Sequence, residues 1–347
     1  MLKILLRPEA FIYIAFVVFT GAFFVLSIFT KDIPSQGLLK YYIQLSKDKI
    51  IWSFVLLSLV VCVRILFFGI TAALKGTNPS LVFSHKNLAR FPLEFSKFLK
   101  NLLLVGLPFL FSFYSLTLAL GQLNLFNKDR LQDELLAQWD IALTHTFPSF
   151  TLASLQYPGW FIKSVDFSFM YLVPFLGLLG AYLFQARQKL FREAAGTFSV
   201  GMIFMFTGWI LFPVLSPHDR FVDNVYNLPP SPSIQEYLVR YHPQEEISLF
   251  LQRIRESKED LGVFPTSAFP SAHVAWAVLF VYYAYRTSRW LLLFSIPLAF
   301  LSTLGTVLFA QHYFVDIPAG IGTGLLAIAI TRYVAQRRTV YLQYSSR

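Results

Sequence analysis

Apolar runs long enough to cross a bilayer alternate with short polar stretches through most of the chain. They fall at about 11–30, 50–74, 102–120, 167–184, 194–215, 269–286, 290–310 and 314–333. With a rise of about 1.5 Å per residue, ~20 apolar residues cross a hydrocarbon core of roughly 30 Å. The pattern therefore predicts about eight transmembrane helices. The first run follows a short basic start and lacks the short core and small-residue cleavage site of a signal peptide, so it reads as a retained span. Arg64 lies inside the second run; it snorkels if it sits in the half nearer the cytoplasm, and a gating or binding role is the alternative.

Two stretches are amphipathic instead of uniformly apolar. Leu131, Leu135 and Trp139 recur at helical spacing beside Asp129, Asp133, Glu134 and Asp140, which predicts a helix lying on the membrane surface. Ile247, Phe250, Leu251 and Ile254 keep an i, i+3, i+4, i+7 pattern among charges and predict a second surface helix, either packed on the bundle or bilayer or lidding a site. Between them, 148–160 is broken by Pro148, Pro158 and Gly159 and reads as an interfacial loop or a shallow re-entrant piece. The basic stretch 75–100 divides an N-terminal two-span region, 1–100, from a membrane bundle, 101–336, with a polar insertion at about 221–267 and a basic tail at 337–347. Gly320, Gly322 and Gly324 form a small-residue face on the last span, suited to close helix packing.

Composition fixes the class. Hydrophobic residues make up 56% of the chain and charged ones only 14%, against roughly 25% charged in soluble proteins. The fold class is an all-α integral membrane protein. A net charge of +10 raises the question of nucleic acid, but no basic run of five or more occurs. Basic residues at span ends account for the excess, and no nucleic-acid partner is expected. The single cysteine, Cys62, excludes an intramolecular disulfide.

Eight spans put both termini on one side. Lys and Arg are denser there, so the positive-inside rule places the termini in the cytoplasm. His218, Arg220, His273, His312 and Asp316 then gather at the extracytoplasmic span ends. The one Asn-x-Ser/Thr triplet, Asn78-Pro79-Ser80, is blocked by its proline as a glycosylation acceptor. This leans toward a bacterial inner membrane, with the site facing the periplasm or exterior.

Ionisable residues at span edges are candidates for function. His312 and Asp316 stand i, i+4, on one face if helical. A carboxylate bonded to one imidazole nitrogen fixes the tautomer and frees the other nitrogen's lone pair for attack. His273, from another span, stands where an acid would protonate a leaving oxygen. Phosphoryl oxygens need fixed donors: Arg220 offers a fork, His218 a ring N–H, Ser271 a hydroxyl, and the amides around Ala272 and His273 the positive end of a helix. A His-x-x-x-Asp pair also suits half a metal site, but only His218 and Asp219 remain as obvious further ligands and their spacing does not support it. Ser271 as nucleophile would want a Gly-x-Ser-x-Gly elbow, which is absent; capping is its default role at a helix start. No metal and no cofactor are expected.

Ala268-Phe269-Pro270-Ser271-Ala272-His273-Val274-Ala275-Trp276 and His312-Tyr313-Phe314-Val315-Asp316-Ile317-Pro318-Ala319-Gly320 resemble the second and third motifs of the type 2 phosphatidic acid phosphatase superfamily. The resemblance covers about 129–334 and is nearest to the branch of fungal inositol phosphorylceramide synthase and related bacterial proteins. It implies a six-helix catalytic bundle, His312 as the nucleophile forming a phosphohistidine, Asp316 as its orienting partner, His273 as the general acid, and no metal. Lipid phosphate phosphatases carry a Lys and Arg-Pro first motif that is not evident here. They also have a glycine where Ala272 stands and an arginine where Thr306 stands; the sphingolipid-synthase side of the superfamily lacks that arginine too. The expected substrate is a lipid phosphate or phosphodiester, and the acceptor is water or an alcohol. The alternatives are a lipid transporter or flippase using the same polar cluster for binding, and a scaffold that has lost its chemistry.

Overall fold

The computed structural model describes residues 7–29, 130–260 and 269–345, with parts of 100–123. The expected second span, Arg64 and most of the 75–100 loop lie outside the described residues, and the third span is described only in part. Helices are α1 (Ala10–Phe29), α2 (Asp133–Thr144), α3 (Pro148–Ala153), α4 (Gly159–Ala186), α5 (Gln188–Leu211), α6 (Pro232–Val239), α7 (Glu245–Asp260), α8 (Ala272–Thr287), α9 (Leu292–Leu308) and α10 (Asp316–Ser345). No strand occurs among the described residues. Five helical segments, in α1, α4, α5, α9 (with the 3₁₀ turn before it) and α10, are long and apolar enough to cross a membrane. The protein is an all-α integral membrane protein.

α8 is central, packing against α4, α5, α9 and α10. It has 16 residues, about 24 Å of helix, shorter than the span expected there because Ser271 starts it late; Ser288 stops it one residue past the end of the apolar run. Two glycines of α10 let α8 approach closely. A Cβ on Gly320 would stand 2.7 Å from the Ser271 carbonyl oxygen, and one on Gly324 would stand 3.1 Å from that of Ala275, whereas one on Gly322 meets nothing within 4 Å. Gly322 therefore takes no part in the close contact. Gly320→Ala is expected to cost about 1–3 kcal/mol through overpacking and to lower the unfolding temperature in detergent, with Gly322→Ala as the unchanged control. Equal shifts in the two variants would contradict this packing.

The sequence-based elements need three corrections. α4 begins at Gly159, eight residues before the apolar run, because Pro158 sets the turn into it and Lys163 and Asp166 mask the helix in a hydropathy reading. The 148–160 stretch contains the short helix α3, with Pro148 in its first turn. α2 is not a surface helix with its acids outward: Asp133, Leu136, Ala137 and Asp140 form its buried stripe, and Trp139 is exposed. α7 does bury Ile247, Phe250 and Leu251 against Val165, Phe169, Leu308 and Phe309 of the bundle, which makes it a cap over one end of α4 and α9.

Candidate active site

The site is assembled at one end of the bundle, where α9 stops, α10 starts and α8 starts. α9 ends in a Schellman turn in which Ala310 takes the left-handed position, φ 48°, usually held by glycine. The Ala310 N–H donates to the Val307 carbonyl at 2.9 Å, and the Gln311 and His312 N–H groups both donate to the Thr306 carbonyl at 3.0 and 2.9 Å. Ser149 of α3 donates its hydroxyl to the His312 carbonyl at 2.9 Å. The main chain of His312 is thus held on both sides.

His312 and Asp316 do meet, but not along a helix face. His312 lies in the turn before α10, and Asp316 is the first residue of that helix. His312 Nδ1 donates to Asp316 Oδ2 at 3.1 Å, and the Tyr313 N–H donates to the same oxygen at 2.9 Å. With Nδ1 carrying the proton, the lone pair of His312 resides on Nε2. Asp316 is fully buried and sits at a helix N-terminus, where the helix dipole favours negative charge.

His273 is the second residue of α8. Its Nε2 lies 3.1 Å from the Phe169 carbonyl, an acceptor only, so Nε2 carries a proton and Nδ1 is left for exchange. Its ring stacks on that of Phe169 with centroids 4.2 Å apart and planes within 4°. His312 is close enough for a charge on one imidazole to act on the other.

The remaining candidates are placed differently. Ser271 caps α8, its Oγ accepting the Val274 N–H at 3.3 Å. Ala272 opens the first turn, whose N–H groups have no acceptor within the helix. A capping role predicts that Ser271→Ala costs about 1 kcal/mol and Ser271→Gly only a few tenths, read as unfolding temperature. A KM that rises alike in both variants would instead return the hydroxyl to phosphate binding. Arg220 is buried, donates to the Leu228 carbonyl at 2.8 Å, pairs with Glu134 at 3.6 Å, and lies over the Phe221 ring. These contacts tie it to α2 and the insertion, not to the histidines. His218 Nδ1 lies 3.4 Å from Asp223 Oδ2, and its N–H donates to the Ala310 carbonyl at 3.0 Å. His218, Asp219 and Asp223 bring one ligand atom each within 4.8 Å of one another, the group among the described residues with the donor types for a metal ion. Asp223 also pairs with Arg255 at 3.4 Å, and the group includes neither His312 nor Asp316.

The residues that sequence reasoning missed lie on α2. Asp140 accepts the Phe314 N–H on one oxygen at 2.8 Å and the Val315 N–H on the other at 2.9 Å. Asp133 Oδ1 accepts the Tyr313 hydroxyl at 2.8 Å and the Leu215 N–H at 2.9 Å. Glu134 accepts the Ser231 N–H at 3.1 Å. Burial pushes the carboxyls of Asp133 and Asp140 up to about 7, against the opposing pull of these hydrogen bonds; the charge of Asp316 raises Asp140 further. Burial and the neighbouring Asp133 raise the Tyr313 phenol well above its ordinary value. The available signal was the pair of acids seven residues apart, bracketing Leu136 and Ala137 on one helical stripe.

The family model for the PAP2 superfamily matches residues 134–330, which takes in α3 to α9, most of α2 and the first half of α10. No curated protein and no solved structure gave a match.

Proposed function

Because the chain belongs to the PAP2 superfamily, whose members are in general phosphatases, we propose that it is a membrane-embedded phosphoesterase that works through a phosphohistidine on His312. The substrate is a lipid phosphate or phosphodiester. The observation that carries this reading is the state of His312: its main chain is bonded on both sides and its Nδ1 is held by buried Asp316, so Nε2 is the group left for attack.

In the first half-reaction the Nε2 lone pair attacks phosphorus, an N–P bond forms and the bond from phosphorus to the ester oxygen breaks. His273, as the imidazolium, gives its Nδ1 proton to the leaving oxygen while Nε2–H remains on the Phe169 carbonyl. Asp316 stabilises the positive charge on the phosphorylated ring. In the second half-reaction water or an alcohol attacks phosphorus, His273 takes the acceptor's proton, and the N–P bond breaks with its electrons returning to Nε2. Water gives a phosphatase and an alcohol gives a head-group transferase of the inositolphosphotransferase type. The α8 N-terminal amides at Ala272 and His273 supply fixed donors for the phosphoryl oxygens. The distribution of basic residues supports cytoplasmic termini and an extracytoplasmic site, and the blocked Asn78-Pro79-Ser80 triplet supports a bacterial inner membrane.

The test is turnover of a panel of lipid phosphates and phosphodiesters by the purified protein in detergent with excess EDTA, following free phosphate and new lipid species. The proposal predicts EDTA-resistant release of phosphate, or a new phosphorylated lipid once an alcohol is supplied. Loss of all turnover with EDTA, restored by a divalent cation, would contradict a reaction carried by histidine alone.

A further inference from the structure

We infer that Asp140 is a positioning residue for this reaction: its two carboxylate oxygens hold the Phe314 and Val315 N–H groups and so fix the turn that sets His312 against Asp316. The inference rests on the phosphohistidine reading above. Three residues separate His312 from Asp316, and each of their N–H groups has a carboxylate acceptor. Tyr313 N–H goes to Asp316, and Phe314 and Val315 N–H go to Asp140 on a helix 174 and 175 residues earlier in the chain. Asp133, one helical face over two turns, holds the Tyr313 hydroxyl and ties the same turn to the exit of α5 through Leu215.

A carboxylate is an expensive way to fill that space. Asp140 is fully buried, and a buried charge is tolerated only when hydrogen-bonded. The charged group acting on it is Asp316 of α10, of like sign; Arg220 acts on Asp133 and Tyr313 instead. An apolar side chain or an asparagine would pack at lower cost, but neither accepts two parallel N–H groups on separate oxygens. What the carboxylate supplies is orientation of the turn. Misplacing reacting groups by about 1 Å costs on the order of 10²-fold in rate.

Activity and stability are then expected to respond to pH with opposite signs. The carboxyl is raised to about 7 by burial, above its ordinary value of 3.8, so its contribution to stability is fully present below 3.8 and is lost as pH rises from there to about 7. The clamp needs both oxygens as acceptors, so its contribution to rate is gained as the folded carboxyl ionises around pH 7.

The experiment measures kcat and KM of the full chain in detergent with dioctanoyl phosphatidate, for the wild type, Asp140→Ala, Asp140→Asn and His312→Ala, alongside unfolding temperatures. Asp140→Ala is expected to lower kcat about 10²-fold with KM changed less than about threefold. Asp140→Asn, which keeps shape and one acceptor, is expected to fall between and to lose the rise of kcat around pH 7. Should Asp140→Ala fail to fold, the asparagine variant decides. An Asn variant with wild-type kcat and pH profile, beside an inactive His312→Ala, overturns the positioning role alone. A wild type that turns over neither phosphatidate nor any lipid phosphodiester of the panel above, or a His312→Ala variant as active as the wild type, removes the phosphohistidine reading and this inference with it.

Discussion

His312→Gln is expected to lower turnover by on the order of 10⁴–10⁶-fold, the range seen when a nucleophile that acts as part of a unit is removed. Glutamine keeps an N–H donor for Asp316, whose Oδ1 already lacks a described partner, and so limits the cost of leaving a buried carboxylate unpaired. The main-chain bonds of residue 312 to Thr306 and Ser149 do not involve the side chain, so the fold is expected to persist and lipid binding with it. The check is a kinetic comparison on one protein preparation series, with unfolding temperature as the control for folding. A loss confined to KM would assign His312 to binding and remove it from the chemistry.

His273→Ala is expected to show a leaving-group dependence that no structural defect would produce. General acid catalysis contributes typically about 10²–10⁴-fold, and the contribution matters most when the departing oxygen is a poor leaving group. With dioctanoyl phosphatidate, which expels an alkoxide, the variant should fall by that range. With p-nitrophenyl phosphate, whose phenolate leaves without a proton, it should fall by less than about tenfold. Equal losses on the two substrates would point to disturbed packing around Phe169, against which the imidazole is stacked, in place of proton transfer.

Much of the bundle was legible because lipid leaves few options: backbone groups must bond within the segment, so long apolar runs are helices. The two histidines and Asp316 were legible because polar groups at span edges stand out against an apolar background. The route between them was not. Spacing of four suggested a helical face for His312 and Asp316, whereas the contact runs through a turn closed by Ala310 in the left-handed region, which alanine seldom occupies. α2 was misread for a related reason. Periodicity selects the stripe with the most apolar residues, Leu131, Leu135 and Trp139, and assumes that acids face water. Here Asp133 and Asp140 go inward because the turn before α10 presents N–H groups and a phenol that need acceptors. Such partners, distant in sequence, leave no local pattern. Arg220 shows the converse: its position after a span was visible, but not that Glu134 and the Leu228 carbonyl would hold it.

The bond between His312 and phosphorus can be trapped. Protein in detergent is mixed with lipid phosphate labelled in the phosphoryl group, quenched in alkali within the first turnovers, and digested for peptide mapping. A phosphohistidine intermediate predicts label on the peptide that carries His312, stable to base, released by mild acid and absent from His312→Gln. Turnover without protein-bound label, or label on Ser271, would contradict it.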